Sequence, residues 1–312
     1  MGSLSVVIPV FNAAESLENL CDQLIRALEN LSDNYEILLI DDGSRDKSWS
    51  IINDLQKRHN QIRGIKLSRN YGQHNALLCG IRAAEFETIV TMDDDLQNPV
   101  SEVPKLLNKL NEGYDVVYGT PAKQQHTFLR NLASRLTKIA LKELMGAETA
   151  THVSAFRAFR TQLRQGFENY SSPYVSIDVL LTWSTSSFTA IKVKHAEREL
   201  GKSNYTIKKL IAHAFNLVTG FSTLPLQVAS MIGFIFMIFG IGILIWVLGG
   251  YFIFGTTVAG FTFLASIIAI FSGVQLFALG IFGEYISRIH FRTMDQPPYV
   301  IGEVGNKGRN VR

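Results

Sequence analysis

Residues 88–100 read TIVTMDDDLQNPV. A short apolar run, Thr88–Met92, leads directly into three consecutive aspartates, Asp93, Asp94 and Asp95. The run has the length and composition of a strand buried on both faces, the pattern of a parallel sheet covered by helices. Neighbouring carboxylates repel by about 1 kcal/mol per pair in water and about four times that at a protein-like dielectric. Such repulsion at the end of a buried strand is relieved by a hard cation, which takes several oxygen ligands. Asp93 and Asp95 have strand-like i, i+2 spacing and are expected on one side, with Gln97 adding a neutral oxygen and Asp94 turned elsewhere, to solvent or a ribose. The alternative is a set of exposed turn carboxylates before Asn98-Pro99.

The same grammar extends outward over the first 120 residues. Strands are expected at Leu4–Val10, Glu36–Ile40, Ile62–Leu67, Thr88–Met92 and Asp115–Tyr118. Helices are expected at Glu15–Glu29, Lys47–Arg58, Gly72–Ala84 and Val100–Leu110. Repeated strand–helix units of this kind build a doubly wound, mainly parallel α/β sheet. Its polar motifs fall at the carboxyl ends of strands: Pro9-Val10-Phe11-Asn12, Asp41-Asp42-Gly43-Ser44, Ser68-Arg69-Asn70-Tyr71-Gly72-Gln73 and the aspartate triplet. Open α/β sheets bind ligands at that edge. Asp41 and Asp42 suit a base and ribose, or a plain Asp-Gly turn. Arg69, Gln73 and His74 lie where a phosphate or base would be read, although His74 has no metal-ligand spacing to another His or Cys and is expected on a helix surface. Asn12 and Glu15 have the N-x-x-E spacing of a capping box.

Charge divides the chain. Net charge is only +3, which gives no support to nucleic-acid binding, yet the 74 residues from Leu210 to Gly283 contain no Asp, Glu, Lys or Arg. Two stretches, 226–250 and 261–283, are each long enough for a membrane span, which takes about 20 helical residues. Tyr251–Gly260 suits a tight hairpin between them. Lys208, Lys209, Arg288, Arg292, Lys307, Arg309 and Arg312 flank the outer ends, placing both termini and the α/β part in the cytoplasm. Two basic amphipathic segments, 127–146 and 206–224, are expected at the headgroup plane, the first equally well as a core-facing helix. The expected division is a domain over 1–205, a juxtamembrane helix over 206–224, the membrane pair within 226–284 and a tail over 285–312. No signal peptide is visible. Cys21 and Cys79 read as small buried apolar residues of a reducing compartment. Arg157 and Arg160 occur in SAFRAFR; Arg198, Lys202, Ser203 and Tyr205 in RELGKSNY form a Gly-Lys-Ser loop that suits a phosphate held near the membrane surface, or else a plain solvated basic loop.

These motifs together resemble a known group. Pro9–Asn12, LLIDDGSRDKS, LSRNYGQHNA, MDDDLQNP, FRAFR, HAERELGKSNYT and FGEYISRI are similar to the family 2 glycosyltransferases that load a sugar onto a polyprenyl phosphate, in the undecaprenyl-phosphate glucosyl and 4-deoxy-4-formamido-arabinose branches. The resemblance covers nearly the whole chain, and dolichyl-phosphate mannose synthases are similar in the soluble half. It implies a GT-A fold, a nucleotide-diphosphate sugar donor, Mg2+ or Mn2+ and an inner-membrane location; relatives assemble into homo-oligomers through their membrane parts, while the sequence leaves this chain's oligomeric state open. It implies a metal held by Asp93, Asp95 and Gln97, and donor contacts at Pro9, Phe11, Asn12, Asp41, Asp42, Arg69, Gln73, Asp93 and Asp94. Asp95, Arg198, Lys202 and Ser203 would serve catalysis; Arg157, Arg198, Lys202, Ser203 and Tyr205 would meet the acceptor phosphate. Three positions depart from the group's pattern: Ala13 stands for Glu, Thr151 for a proposed Asp base, and Ser203-Asn204-Tyr205 for Ser-Lys-Tyr. A phosphate acceptor is largely dianionic at neutral pH and hardly needs a base, which accommodates Thr151. A guanosine-dependent mannosyl synthase and a catalytically silent scaffold are the rival readings.

Overall fold

The computed structural model describes residues 2–32, 34–121, 153–194, 224–254 and 261–305. Of these, the residues up to 194 and from 295 onward form one compact unit, and residues 224–294 a second.

The first unit is built on an eight-stranded sheet: β1 Leu4–Val10, β2 Tyr35–Asp41, β3 Ile62–Leu67, β4 Thr88–Thr91, β5 Val116–Pro121, β6 Arg157–Arg160, β7 Phe188–Val193 and β8 Ile301–Val304. Their spatial order is β7-β5-β6-β4-β1-β2-β3-β8. β4, β1, β2 and β3 run parallel, and every residue of β1 and β2 is buried, as central strands covered on both faces require. β1 tolerates Pro9 because of where β4 stops. Met92 donates its main-chain N–H to the Val7 carbonyl, so alternate residues of β1 face β4, but the β1–β4 pairing ends at Val7–Thr91. The missing N–H of Pro9 therefore falls beyond the ladder and breaks no bond.

The helices that sequence periodicity predicts are present. They are α1 Leu17–Leu28, α2 Ser48–Arg58, α3 Gln73–Ala83 and α4 Val103–Asn111, the last preceded by a 3-10 turn at Val100–Glu102. In α1 the buried residues are Leu17, Leu20, Cys21, Leu24 and Leu28, one stripe at helical spacing. α3 approaches the sheet closely enough that a Cβ on Gly80 would come within 2.3 Å of Val7 and 3.0 Å of Ile40. Both cysteines are free and buried, and burial pushes each thiol up to about 12, so they are inert packing groups.

Three expectations change. Val116–Pro121 does not join the sheet beside β4, because β6 is inserted between them, antiparallel to both. The FRAFR segment thus contributes an inner strand of the sheet. Residues 301–304, expected only as tail, return as β8 along the open side of β3, paired antiparallel, and so cover an edge that would otherwise expose unpaired main-chain groups. α1 begins at Leu17 with Ser16 at its N-cap, so Asn12 and Glu15 form no capping box. Asn12 instead adopts a positive φ of 53° in the loop ahead of the helix.

The second unit holds α6 Leu224–Phe254 and α7 Phe261–Thr293 (α5 is the short helix Ile177–Thr182 of the first unit). Within them, Pro225–Gly250 and Ile270–His290 are long and apolar enough to cross a membrane, and their large apolar side chains are mostly exposed. At about 1.5 Å per residue, 26 residues reach about 39 Å, more than a hydrocarbon core needs. Phe236 and Phe271 meet edge to face at 5.6 Å between the helices. α7 continues past the expected end at 283, carrying a Glu284–Arg288 pair at 2.8 Å in its last turns. Of the expected hairpin Tyr251–Gly260, residues 251–254 belong to α6 and 255–260 lie outside the described residues, as do the expected segment 127–146 and all but Leu224 of the expected segment 206–224.

Candidate active site

The carboxyl ends of β1, β2, β3 and β4 feed four loops, and those loops are tied together by side chains caught on their neighbours' main chains. The loop after β1 is held by the loop after β2. Asn12 N–H donates to Ser44 Oγ (2.9 Å), Ala13 N–H to Ser48 Oγ (2.9 Å) and Ala14 N–H to Asp46 Oδ2 (3.1 Å), while Asn12 Oδ1 accepts the Arg45 N–H (2.9 Å). Burial opposes ionisation of Asp46, but hydrogen bonds from Ser48 and Ala14 outweigh it and hold the carboxyl below its ordinary value. Asp46 and Ser48 were missed as site residues. Their only sequence signal is the D-x-S spacing of a local turn, in which Asp46 Oδ1 accepts the Ser48 N–H at 3.0 Å.

The loop after β3 is held by Asp42. Its two oxygens accept the main-chain N–H groups of Tyr71 (2.7 Å) and Gly72 (2.8 Å), the residues that lead into α3. Gly43 sits beneath the same loop at φ 68°, and a Cβ there would fall 2.6 Å from the Arg69 carbonyl carbon and 2.7 Å from Asn70 N. Asp42 is thereby engaged in holding the loop. Asp41 is different. It is fully buried at the end of β2; Oδ1 accepts the Ser44 N–H at 3.2 Å, whereas Oδ2 has no hydrogen-bond partner among the described residues. Burial raises its pKa, with the Ser44 hydrogen bonds and Lys66 opposing. A buried carboxylate oxygen left without a donor is costly, and it fits a ligand that brings an N–H or O–H.

The aspartate triplet lies half-buried beyond β4, and each member has a separate attachment. Asp93 Oδ1 accepts from Gln73 Nε2 at 2.6 Å. Asp94 Oδ2 accepts the Phe11 N–H at 3.2 Å, which draws the β1 loop to the triplet. Asp95 Oδ1 accepts only the Gln97 N–H at 3.1 Å among the described residues. Between them Leu96 is held at φ 59°, a strained conformation for a leucine, anchored by packing of its side chain against the core. Asp95 therefore retains an oxygen that the described residues do not engage, and an all-oxygen set of Asp93, Asp95 and Gln97 suits a hard divalent cation. Among the described residues no three His, Cys, Asp or Glu side chains gather as a complete cage. A cation held here would need further oxygens from a ligand, the usual arrangement for Mg2+ on a phosphate.

Arg69 is exposed, its guanidinium 4.8 Å over the Tyr71 ring, and Tyr71 Oη is 2.9 Å from Ser68 Oγ. Phe11 is 45% exposed at the same edge. His74 is not on a free helix surface but half-buried, its Nδ1 receiving the Ile177 N–H at 3.4 Å. Arg157 turns away from solvent: it is 1% exposed and engaged by Asp178 and Thr91 inside the sheet, which replaces the expected contact with an acceptor phosphate. Arg198, Lys202, Ser203 and Tyr205, together with Thr151, lie outside the described residues.

The model of Glycosyl transferase family 2 matches residues 5–170, more than half of the chain. The chain belongs to glycosyl transferase family 2. This family 2 glycosyltransferase is 37% identical to an undecaprenyl-phosphate 4-deoxy-4-formamido-L-arabinose transferase of Enterobacter sp. (strain 638), over 98% of this chain and 94% of the relative. A transferase of the same name from Proteus mirabilis (strain HI4320) is 34% identical over 97% and 94%. Among solved structures, glucosyl-3-phosphoglycerate synthase from Mycobacterium tuberculosis, in complex with Mn2+, UDP and phosphoglyceric acid, has a TM-score of 0.52 at 18% identity, covering 70% of this chain and 76% of its own. That likeness concerns the fold, and it agrees with the GT-A architecture of the first unit.

Proposed function

We propose that this glycosyltransferase moves a sugar from a nucleotide-diphosphate donor to undecaprenyl phosphate at the cytoplasmic face of the inner membrane. The observation that carries the reading is the division of labour among the carboxylates. Asp42 commits both oxygens to one loop and Asp94 one oxygen to another, while Asp41 Oδ2 and one oxygen of Asp95 are not engaged by the described residues. Asp41 then takes a donor hydrogen of the nucleoside, and Phe11 and Arg69 border the nucleotide and its phosphates. End-to-end similarity to undecaprenyl-phosphate transferases, including the apolar helix pair, supports a lipid-phosphate acceptor and a membrane location.

Mg2+ or Mn2+, bound at Asp93, Asp95 and Gln97, would neutralise charge on the departing nucleoside diphosphate. The chain's own part is to fix the donor. Gln73 holds Asp93, the Asp42 brace holds the loop bearing Arg69, and the Asn12–Ser44 lattice holds the loop bearing Phe11. The acceptor phosphate, dianionic near neutral pH, attacks the anomeric carbon without a protein base and inverts it. Arg198, Lys202, Ser203 and Tyr205 are proposed to neutralise that phosphate. Anchoring in the membrane confines the chain to the surface where the lipid acceptor lies, which raises the effective concentration of that acceptor.

The test offers purified protein a panel of nucleotide sugars with undecaprenyl phosphate and Mn2+, and weighs the lipid product by mass spectrometry. The relatives' names make 4-deoxy-4-formamido-L-arabinose the first sugar to try. A single undecaprenyl-phosphate-linked sugar is expected; GDP-mannose as the sole productive donor would favour the mannosyl-synthase reading, and no product with any donor would sink both.

A further inference from the structure

The acidic loop is enclosed by a ring of contacts that runs through the buried interior of the sheet. Thr91 closes β4, two residues before Asp93. Its hydroxyl donates to the Ala155 carbonyl at 2.7 Å and accepts from Arg157 Nε at 3.1 Å. The other arm of that guanidinium, Nη1, pairs with Asp178, whose Oδ1 also accepts the Tyr118 hydroxyl at 3.1 Å. Arg157, Tyr118 and Asp178 are 1%, 0% and 7% exposed, so the pair lies out of water. Asp178 stands beside Ile177 at the start of α5, and the Ile177 N–H meets His74 Nδ1. His74 neighbours Gln73, which returns to Asp93 at 2.6 Å. The ring therefore leaves the triplet through Thr91 and comes back to it through Gln73.

A buried ion pair is weak support for stability, because desolvation offsets most of the attraction. A forked guanidinium joining two backbone segments is, however, a strong constraint on their spacing. We propose that Arg157 and Asp178 are positioning residues for the acidic loop, setting through Thr91 and through the His74–Gln73 corner where Asp93 and Asp95 stand relative to the donor phosphates. The proposal rests on the transfer reading for its consequence in catalysis, though not for its consequence in loop order.

Two variants cut the same link without removing the pair. Arg157→Lys keeps a positive charge for Asp178 but lacks the second arm to Thr91, and Thr91→Val keeps the shape of β4 but removes the hydroxyl. Main-chain hydrogen–deuterium exchange of residues 92–97 is measured on the full chain without ligand, alongside the melting temperature, kcat and the Mn2+ concentration for half-maximal rate. Both variants are expected to speed exchange at 92–97, to lower kcat roughly tenfold or more and to raise the Mn2+ requirement. The double variant should be no worse than the poorer single one, because both changes break one contact. Unchanged exchange at 92–97 in either folded variant would overturn the proposal, as would additive losses in the double variant. Faster exchange in the variants, with a wild type that transfers no sugar from any donor, would retain the positioning and remove the transfer reading instead.

Discussion

Asp42 accepts the main-chain N–H of Tyr71 at 2.7 Å across 29 residues of sequence, and its second oxygen takes the Gly72 N–H at 2.8 Å. The bond fastens the loop after β3 to the end of β2 and leaves neighbouring Asp41 as the acid whose outer oxygen goes unsatisfied among the described residues.

The first prediction concerns pH. Burial, with a smaller push from Asp41, lifts the Asp42 carboxyl from 3.8 to about 6 against the two loop N–H groups. The folded state thus holds this proton more tightly than the unfolded chain. Its stabilising contribution is fully present below about pH 4 and is lost as pH rises through about 6, a change of at most about 3 kcal/mol at this buried group. Carbon-13 observation of the Asp42 carboxyl should show a midpoint near 6, and a midpoint in the ordinary carboxylate range would refute the assignment.

Asp41→Asn keeps the acceptor oxygen for the Ser44 N–H and replaces the unsatisfied oxygen by an amide donor. Nucleotide affinity should fall about tenfold or more, since a donor would then face a donor. Calorimetric titration with nucleoside diphosphates measures it, and unchanged affinity places the nucleoside elsewhere.

For Gly43→Ala the φ of 68° and the 2.6 Å approach to the Arg69 main chain act together. Backbone atoms cannot yield as a flexible side chain does, so a stability loss on the order of 2 kcal/mol is expected, with a raised KM for the donor. Chemical denaturation and donor-saturation curves check the two effects separately.

Gly80→Ala tests which of two opposed effects prevails. Helix propensity alone favours alanine by about 1 kcal/mol. The added methyl would meet Val7 at 2.3 Å and Ile40 at 3.0 Å, both inside the core, and overpacking costs about 1–3 kcal/mol. Net destabilisation is expected by thermal unfolding, and a stabilised variant would show that α3 can retreat from the sheet.

Asp95→Asn removes a charge at the acid with a single partner among the described residues. Transfer should drop by roughly a hundredfold or more while the melting temperature stays within a few degrees, because no protein–protein ion pair is lost. Chelation of divalent ions should inactivate the wild type and leave the variant's residual rate unchanged; full activity of the variant under chelation would end the metal reading.

Much of this was legible in the chain. Leu4–Val10 and Ile62–Leu67 were bounded as the structure has them, because buried parallel strands are short unbroken apolar runs. The α1 stripe was readable from the spacing of Leu17, Leu20, Cys21, Leu24 and Leu28. The insertion of β6 between β4 and β5 was not, because its strand RAFR is only four residues long and half basic, and its burial depends on Asp178, 21 positions away. β8 escaped notice for a similar reason: a strand as short as Ile301–Val304 is recognisable only by the edge it covers.

By itself the sequence determined that acids would end β4, that two acids would end β2, and that an α/β unit would precede two long apolar helices. Period and composition fix such things, since they act over neighbouring residues. Tertiary structure alone decided how the acids differ: Asp42 and Asp94 fasten loops 29 and 83 residues away, Asp41 and Asp95 keep open oxygens, and Arg157 faces inward. Carboxylates alike in sequence acquire different roles because each takes its partner from a segment that only folding brings within hydrogen-bond distance.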